Sequence, residues 1–152
     1  MNKNIQIEIF ENSKKQCAFV NPYVTKHFVW DDILPKLINE ESFPHIIMAM
    51  HQDSPLGMIL LHTNITYEID TRGIAPEGSI WMYRLYVDEA YRKQGIGQQL
   101  VRSAENYVRE QGYNEIWLDT VQAADYYQKL GYDYVCAVPY QEQYTKVYKK
   151  NL

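Results

Sequence analysis

Cysteine and histidine are scarce and scattered in this chain. Cys17 and Cys136 stand far apart without metal-ligand spacing, and His27, His45, His51 and His62 form no H-x-x-x-H pair. No metal site is expected from them, and two lone thiols suit a reducing, cytoplasmic compartment. Long hydrophobic runs are missing too. The longest, Leu56 to Leu61, is far short of the roughly 20 residues that span a bilayer, so no membrane partner is expected. Met1-Asn2-Lys3-Asn4-Ile5-Gln6-Ile7-Glu8 lacks the apolar core of a signal peptide. A basic excess is absent: the formal net charge is −4, which speaks against a general nucleic-acid binder. There is no repeat, linker or low-complexity tract.

What remains is the composition of a globular domain. Of 152 residues, 46% are apolar and 22% are charged, too apolar for disorder and too interrupted for a membrane protein. Domains of about 100 to 150 residues carry one core, so residues 1–152 are expected to form a single domain. The 14 tyrosines fall mostly in strand-like segments, where amphipathic aromatics fit half-buried faces.

The most informative stretch runs from Ile80 to Tyr107. A strand-like run, Trp81-Met82-Tyr83-Arg84-Leu85-Tyr86-Val87, leads to a basic turn, Arg92-Lys93-Gln94-Gly95-Ile96-Gly97. The turn opens into an amphipathic helix that buries Leu100, Val101, Ala104, Tyr107 and Val108, with Gly112 placed as its C-terminal cap. A helix N-terminus carries unpaired N–H groups and partial positive charge, and glycines let its backbone approach an anion closely. Arg92 and Lys93 add full charges, and no acidic residue occurs from Arg92 through Ala104. The pattern fits a pyrophosphate cradle; a solvated, basic strand-to-helix loop is the plainer alternative. The phosphate loop Gly-x-x-x-x-Gly-Lys-Ser/Thr occurs nowhere. The dinucleotide fingerprint also fails, because position 100 is Leu and seven residues separate Val87 from Gly95.

The rest of the chain supplies the frame. Gln6 to Phe10 alternates Ile7 and Ile9 with polar neighbours, predicting a first strand. Ser13 to Glu41 reads as helix and loop, with Trp30, Ile33, Leu34, Leu37 and Ile38 at helical spacing behind Asp31 and Asp32. His45 to His51 and Met58 to Ile65 predict a hairpin, with turn chemistry in Asp53-Ser54-Pro55-Leu56-Gly57. Thr66 to Ser79 reads as a loop carrying Glu68, Asp70 and Glu77, either a functional cover or a solvated extension. After the helix come a buried strand, Glu115 to Thr120, and a short helix from Gln122 to Leu130 closed by Gly131. Two last strands follow, Tyr132 to Val138 and Tyr144 to Lys149, joined through Pro139-Tyr140.

The turn matches Arg/Gln-x-x-Gly-x-Gly/Ala, and about 30 residues later Tyr127-Gln128-Lys129-Leu130-Gly131-Tyr132 matches Tyr-x-Lys-Leu-Gly-Phe. In that order, over residues 80 to 135, the two motifs resemble the GCN5-related N-acetyltransferase (GNAT) family. The resemblance implies an α/β (α+β) fold: a mixed, mostly antiparallel sheet, flanked by helices, with a central parallel strand pair splayed into a V. It implies acetyl-CoA as acyl-donor co-substrate. Leu85, Tyr86 and Val87 would meet its pantetheine arm, and Arg92, Lys93, Gln94, Gly95, Ile96 and Gly97 its phosphates. Tyr127 would be the catalytic acid, unless it is only part of the core face it shares with Ala123 and Leu130. Phe19, Tyr23, Phe28 and Trp30 would either wall an acceptor pocket or pack the core. Two departures stand out: Thr120 replaces a common Asn, and Tyr83-Arg84 replaces a common glutamate.

Direct transfer to an amine needs a base. An ammonium with pKa near 10.4 is about 1 part in 2,500 neutral at pH 7, a penalty of about 4.6 kcal/mol. Glu68, Asp70, Glu77, Asp119 or a water chain are the candidates, and the sequence does not choose among them. The acceptor is a small amine or a protein amino group. A non-catalytic acyl-CoA-binding module of the same fold is the alternative, and the aromatic tail is compatible with a homodimer.

Overall fold

The structure is a computed structural model and describes residues 4–10, 22–23, 26–27, 45–63 and 69–152. Seven strands form one sheet: β1 (Ile5–Phe10), β2 (His45–His51), β3 (Ser54–His62), β4 (Trp81–Val87), β5 (Glu115–Thr120), β6 (Asp133–Tyr140) and β7 (Gln143–Asn151). Two helices are described, α1 (Ile96–Glu110) and α2 (Ala124–Lys129), with a 3-10 turn at Glu89–Tyr91. The sheet order is β1-β2-β3-β4-β5-β7-β6. The β1–β2, β2–β3, β5–β7 and β6–β7 pairs are antiparallel, whereas β4–β5 is parallel, with Trp81 opposite Trp117. This is the mixed, mostly antiparallel architecture expected. Among the described residues no helix is long and apolar enough to cross a membrane. The predicted helices between Ser13 and Glu41, with Phe19, Phe28 and Trp30, lie outside the described residues, as do Cys17, Thr66 and Glu68.

The chain parts into two compact units. One comprises Met1–Leu61 with Arg84–Ser103, the other His62–Tyr83 with Ala104–Leu152. In the first, β2 and β3 are continuous apolar runs whose interiors are buried, as expected for strands covered on both faces. The hairpin turn is shorter than predicted. Only Gln52 and Asp53 form it, with Gln52 at φ 55, and β3 already begins at Ser54. Gly57 therefore lies within a strand rather than a turn. A Cβ there would stand 2.8 Å from the Tyr86 carbonyl oxygen and 3.3 Å from both Leu100 Cδ1 and Val87 Cα. Glycine is what this close packing requires.

In the second unit, β5, β7 and β6 form an antiparallel ladder. Trp81, Trp117, Val147, Ile69 and Ala75 make a core cluster, with Ile74, Cys136, Val138 and Tyr140 packed against it. The described part of the predicted loop, residues 69–79, is thus more than a solvated extension: Ile69 and Ala75 are buried, while Asp70 and Arg72 pair at the surface. The last turn also differs from expectation. It falls on Gln141-Glu142, and Pro139 sits inside β6, opposite Tyr144. β6 is an edge strand, one of the places where a residue lacking an N–H fits a ladder.

The apolar stripe of α1 is buried as its spacing predicts: Leu100, Val101, Ala104, Tyr107 and Val108. Gly112, at φ 92, ends the helix, and the N–H of Tyr113 donates to the Val108 carbonyl, the reach-back bond of a Schellman-type terminus.

Candidate functional site

The cradle is built from the end of β4 and the start of α1. Arg84, in the middle of β4, has φ 56, a left-handed value unfavourable for a residue with a Cβ. Such a residue interrupts the regular strand just before Leu85, Tyr86 and Val87, whose side chains are half-buried. Asp88 holds the strand end, its N–H donating to the Leu56 carbonyl at 2.7 Å. The 3-10 turn that follows was not anticipated from the sequence. Beyond it Lys93 (φ 63) and Gly95 (φ 81) are both left-handed, and alternating backbone of this kind turns successive N–H groups to one side. The Gly95 carbonyl accepts from the Gln99 N–H at 3.0 Å, so Gly95 is the helix N-cap. The N–H groups of Ile96, Gly97 and Gln98 then have no intrahelical partner. No acidic residue occupies the first turn. Ile96 is buried and anchors the helix start, while Arg92 through Gly95 are exposed.

Arg92 braces this turn. Its Nε donates to the Val87 carbonyl at 2.7 Å, and its guanidinium carbon lies 5.3 Å from the centre of the Tyr86 ring. Tyr86 in turn packs against His27 and Tyr23 at ring distances of 4.7 and 6.2 Å. The Tyr23 hydroxyl donates to Asp88 Oδ1 at 2.6 Å, and His27 Nε2 lies 3.4 Å from the same oxygen. Burial first, then the Asp88 carboxylate, pushes Tyr23 far above an ordinary phenol. Tyr23 is both packed in the core and part of the wall of a cleft of about 430 Å³ that also involves Lys26, Ser54 and Pro55.

Tyr127 belongs to the second unit. Helix α2 starts where the Thr120 hydroxyl accepts from the Ala123 N–H at 2.9 Å, and the Tyr127 N–H donates to the Ala123 carbonyl. At the other end the Tyr127 carbonyl accepts from both Leu130 and Tyr132. Gly131 has φ 94, and a Cβ there would stand 3.4 Å from Lys150 Cε. Its absence lets Lys150 Nζ reach the Leu130 carbonyl at 2.9 Å. The same ammonium donates to both oxygens of Glu105 at 3.1 Å, and the Tyr132 hydroxyl donates to Glu105 Oε2 at 2.8 Å. The Tyr132 ring meets the Tyr127 ring edge-on at 5.7 Å. Tyr127 is buried, and desolvation, with smaller contributions from Tyr126 and Asp119, raises its phenol well above the usual range. It stays protonated at neutral pH.

The cradle and the Tyr-x-Lys-Leu-Gly helix follow one another along the chain in the order carried by one known family. The family model described as Acetyltransferase (GNAT) family matches residues 7–132. The chain belongs to the GNAT acetyltransferases. Human N-acetyltransferase 8 is 38% identical over 60 residues, which cover 37% of this chain and 26% of that protein; the match therefore spans about a quarter of the relative's length. An aminoglycoside 6'-N-acetyltransferase complexed with coenzyme A superposes with TM-score 0.70 at 17% identity, covering 96% of each chain. An acyl-CoA N-acyltransferase from Pseudomonas aeruginosa does so with TM-score 0.68 at 16% identity, over 97% of this chain and 99% of that one. These structures share the fold.

Within the GNAT frame, the candidate carboxylates differ in their surroundings. Asp70 is exposed, and hydrogen bonds from the Arg72 guanidinium and N–H lower it to about 2. Glu77 is exposed, and Glu68 lies outside the described residues. Asp119 is half-buried on β5, and the buried Thr145 hydroxyl donates to its Oδ2 at 2.8 Å. The cradle residues Leu85–Val87 and Arg92–Gly97 fall in one unit and Tyr127 and Asp119 in the other. Sequence reasoning passed over Thr145 and Lys150, read Gly57 as part of a turn and Arg84 only as a departure from a common glutamate, and assigned no role to Glu105. For Glu105 a signal existed: a lone carboxylate on the flank of an otherwise apolar helix stripe.

Proposed function

We propose that residues 1–152 act as one acetyltransferase domain that moves an acetyl group from acetyl-CoA directly to a primary amine, in the cytoplasm. The observation that carries this reading is the start of α1. Three helix-start amides, a left-handed Gly95 with nothing within 4 Å of a Cβ position, and the basic pair Arg92-Lys93 converge without an opposing carboxylate. That is the chemistry of a pyrophosphate receptor. The backbone of Leu85 to Val87 would hydrogen-bond the pantetheine amides.

Tyr127 serves as general acid. Its buried phenol keeps its proton until charge develops on the departing sulfur, and the same dry surroundings disfavour a free thiolate. Amide formation and thiol protonation then proceed together.

Calorimetric titration with acetyl-CoA, with NAD in parallel, tests the cradle. Saturable binding of the acyl donor alone is expected, followed by coenzyme A release when a panel of primary amines is added. Folded protein that binds neither ligand would overturn the assignment. Binding without release from any amine would leave a cofactor-binding module.

A further inference from the structure

We propose that the Tyr132 hydroxyl, Glu105 and Lys150 form a positioning network for Tyr127, the acid of the proposed transfer. This rests on the acetyl-transfer reading above, and every member of the network lies in the second unit.

Helix α2 has only six residues, too few to hold its shape unaided in water. The direction in which Tyr127 points is therefore set by what grips the helix ends. Thr120 fixes the front through the Ala123 N–H. At the back, the Tyr127 carbonyl accepts the N–H groups of Leu130 and Tyr132 at 3.0 and 3.1 Å, and the Leu130 carbonyl accepts from Lys150 Nζ at 2.9 Å. The phenol has no such grip of its own. Among the described residues no hydrogen bond reaches the Tyr127 hydroxyl, so its ring is oriented by the rings that meet it edge-on, Tyr126 at 5.2 Å and Tyr132 at 5.7 Å. Tyr126 is exposed, whereas Tyr132 is buried. What fixes Tyr132 thus fixes Tyr127.

The signature Tyr-x-Lys-Leu-Gly-Phe ends in Phe where this chain has Tyr132. The difference is one oxygen, and that oxygen donates to Glu105 Oε2 at 2.8 Å. Glu105 is only 5% exposed, and a carboxylate so far from water needs close partners. The hydroxyl supplies one, and Lys150 Nζ reaches both carboxylate oxygens at 3.1 Å. One carboxylate thereby ties together α1 through Glu105, the end of α2 through Tyr132 and Leu130, and β7 through Lys150. A satisfied buried network of this kind rigidifies what it holds. Burial, Tyr126 and Asp119 raise the Tyr127 phenol. Glu105 is not among these causes, so the network acts through placement rather than charge. Placement matters because a proton is passed only across about 2.6–3.2 Å, and a displacement of about 1 Å can cost about a hundredfold in rate.

The test is a double-mutant cycle. Coenzyme A release is measured for wild type, Y132F, Y127F and Y127F/Y132F with acetyl-CoA and the primary amine of the panel that wild type turns over fastest, after circular dichroism shows each variant folded. Y132F keeps the ring and removes only the oxygen. Its kcat is expected to fall about tenfold, part of the cost of a full 1 Å displacement, while KM for acetyl-CoA stays within about twofold. In the Y127F background the same change should alter kcat by less than about twofold, because no acid is left to misplace. K150M, which also releases the Leu130 carbonyl, should lower kcat further, by up to about a hundredfold, at the same KM for acetyl-CoA. An equal fall from Y132F in both backgrounds, or wild-type kcat in both Y132F and K150M, overturns the positioning role. Full activity in Y127F removes the acid and leaves nothing to position. A wild type that binds acetyl-CoA yet turns over no amine refutes the transfer reading, and the proposal with it, so the failures are distinguishable.

Discussion

Replacing Gly57 with alanine probes the closest packing around the cradle strand. The added Cβ would lie 2.8 Å from the Tyr86 carbonyl oxygen, and ordinary contact begins near 3.4 Å. The two backbones must therefore separate by roughly 0.6 Å. The atoms in the way are a main-chain carbonyl, Val87 Cα and the buried Leu100 side chain, none of which can swing aside. The neighbouring Asp88–Leu56 hydrogen bond, 2.7 Å long, would stretch with them. Overpacking typically costs about 1–3 kcal/mol, and alanine recovers about 0.5–1 kcal/mol through the lower entropy of the unfolded chain. The net expectation is a loss of about 1–2 kcal/mol, which in a chain of this size lowers Tm by about 2–8 °C. Urea unfolding should show a lower midpoint at unchanged slope. Because Tyr86 and Val87 belong to the proposed pantetheine edge, acetyl-CoA affinity should fall even where the variant is fully folded. A variant as stable as wild type, with unchanged affinity, would refute the close-approach argument.

Tyr127→Phe should lower kcat about 10²- to 10⁴-fold while acetyl-CoA affinity holds, whereas Tyr126→Phe, whose ring is partly exposed, should stay within about twofold in the same assay. Lys150→Met leaves Glu105 buried beside Tyr132 alone and should cost about 3 kcal/mol in urea unfolding, the lower end for a broken buried pair because Lys150 is partly exposed. Adding Glu105→Leu to Lys150→Met should recover part of that loss. Tyr23, Tyr127 and Tyr132 all have phenols raised above 10 by burial, with Asp88 and Glu105 adding to the effect at Tyr23 and Tyr132 respectively. Below pH 10 both folded and unfolded states keep these protons. Above it the unfolded chain ionises first, so each tyrosine lowers stability by about 1.4 kcal/mol per pH unit until its folded value is reached. Chemical denaturation at pH 9 and pH 11 should show the drop, and ultraviolet titration should find these phenols late to ionise. Equal stability at the two pH values would contradict it.

The local structural elements of the candidate site were legible. The glycine turn, the absence of acidic residues beside it, and the stripe of α1 depend on neighbours within a few residues, and the structure keeps their element boundaries. Gly57 was not legible, because proline and serine before it mimic a turn and its actual reason is a carbonyl about 30 residues further on. Pro139 misled similarly: it marks turns in general, but on an edge strand it can stay in the ladder. The burial of Glu105 depends on Lys150 and Tyr132, and no local pattern announces partners so far away. Arg84 gives no sign of its left-handed backbone. That Arg72 pairs with Asp70, and that Thr145 donates to Asp119 from 26 residues away, could not be read from the carboxylates alone.

The ammonium of Lys150 donates all three of its N–H groups, two bonds to Glu105 and one to the Leu130 carbonyl. On the proposed reading the domain handles an activated thioester, which exposes its own lysines to stray acylation, and that reaction requires a free nitrogen lone pair. Lys150 has none to offer while the network stands, whereas Lys146, exposed on the same strand, has no such protection. The bonds that hold the end of α2 in place would also shield its anchoring lysine from the proposed acyl donor.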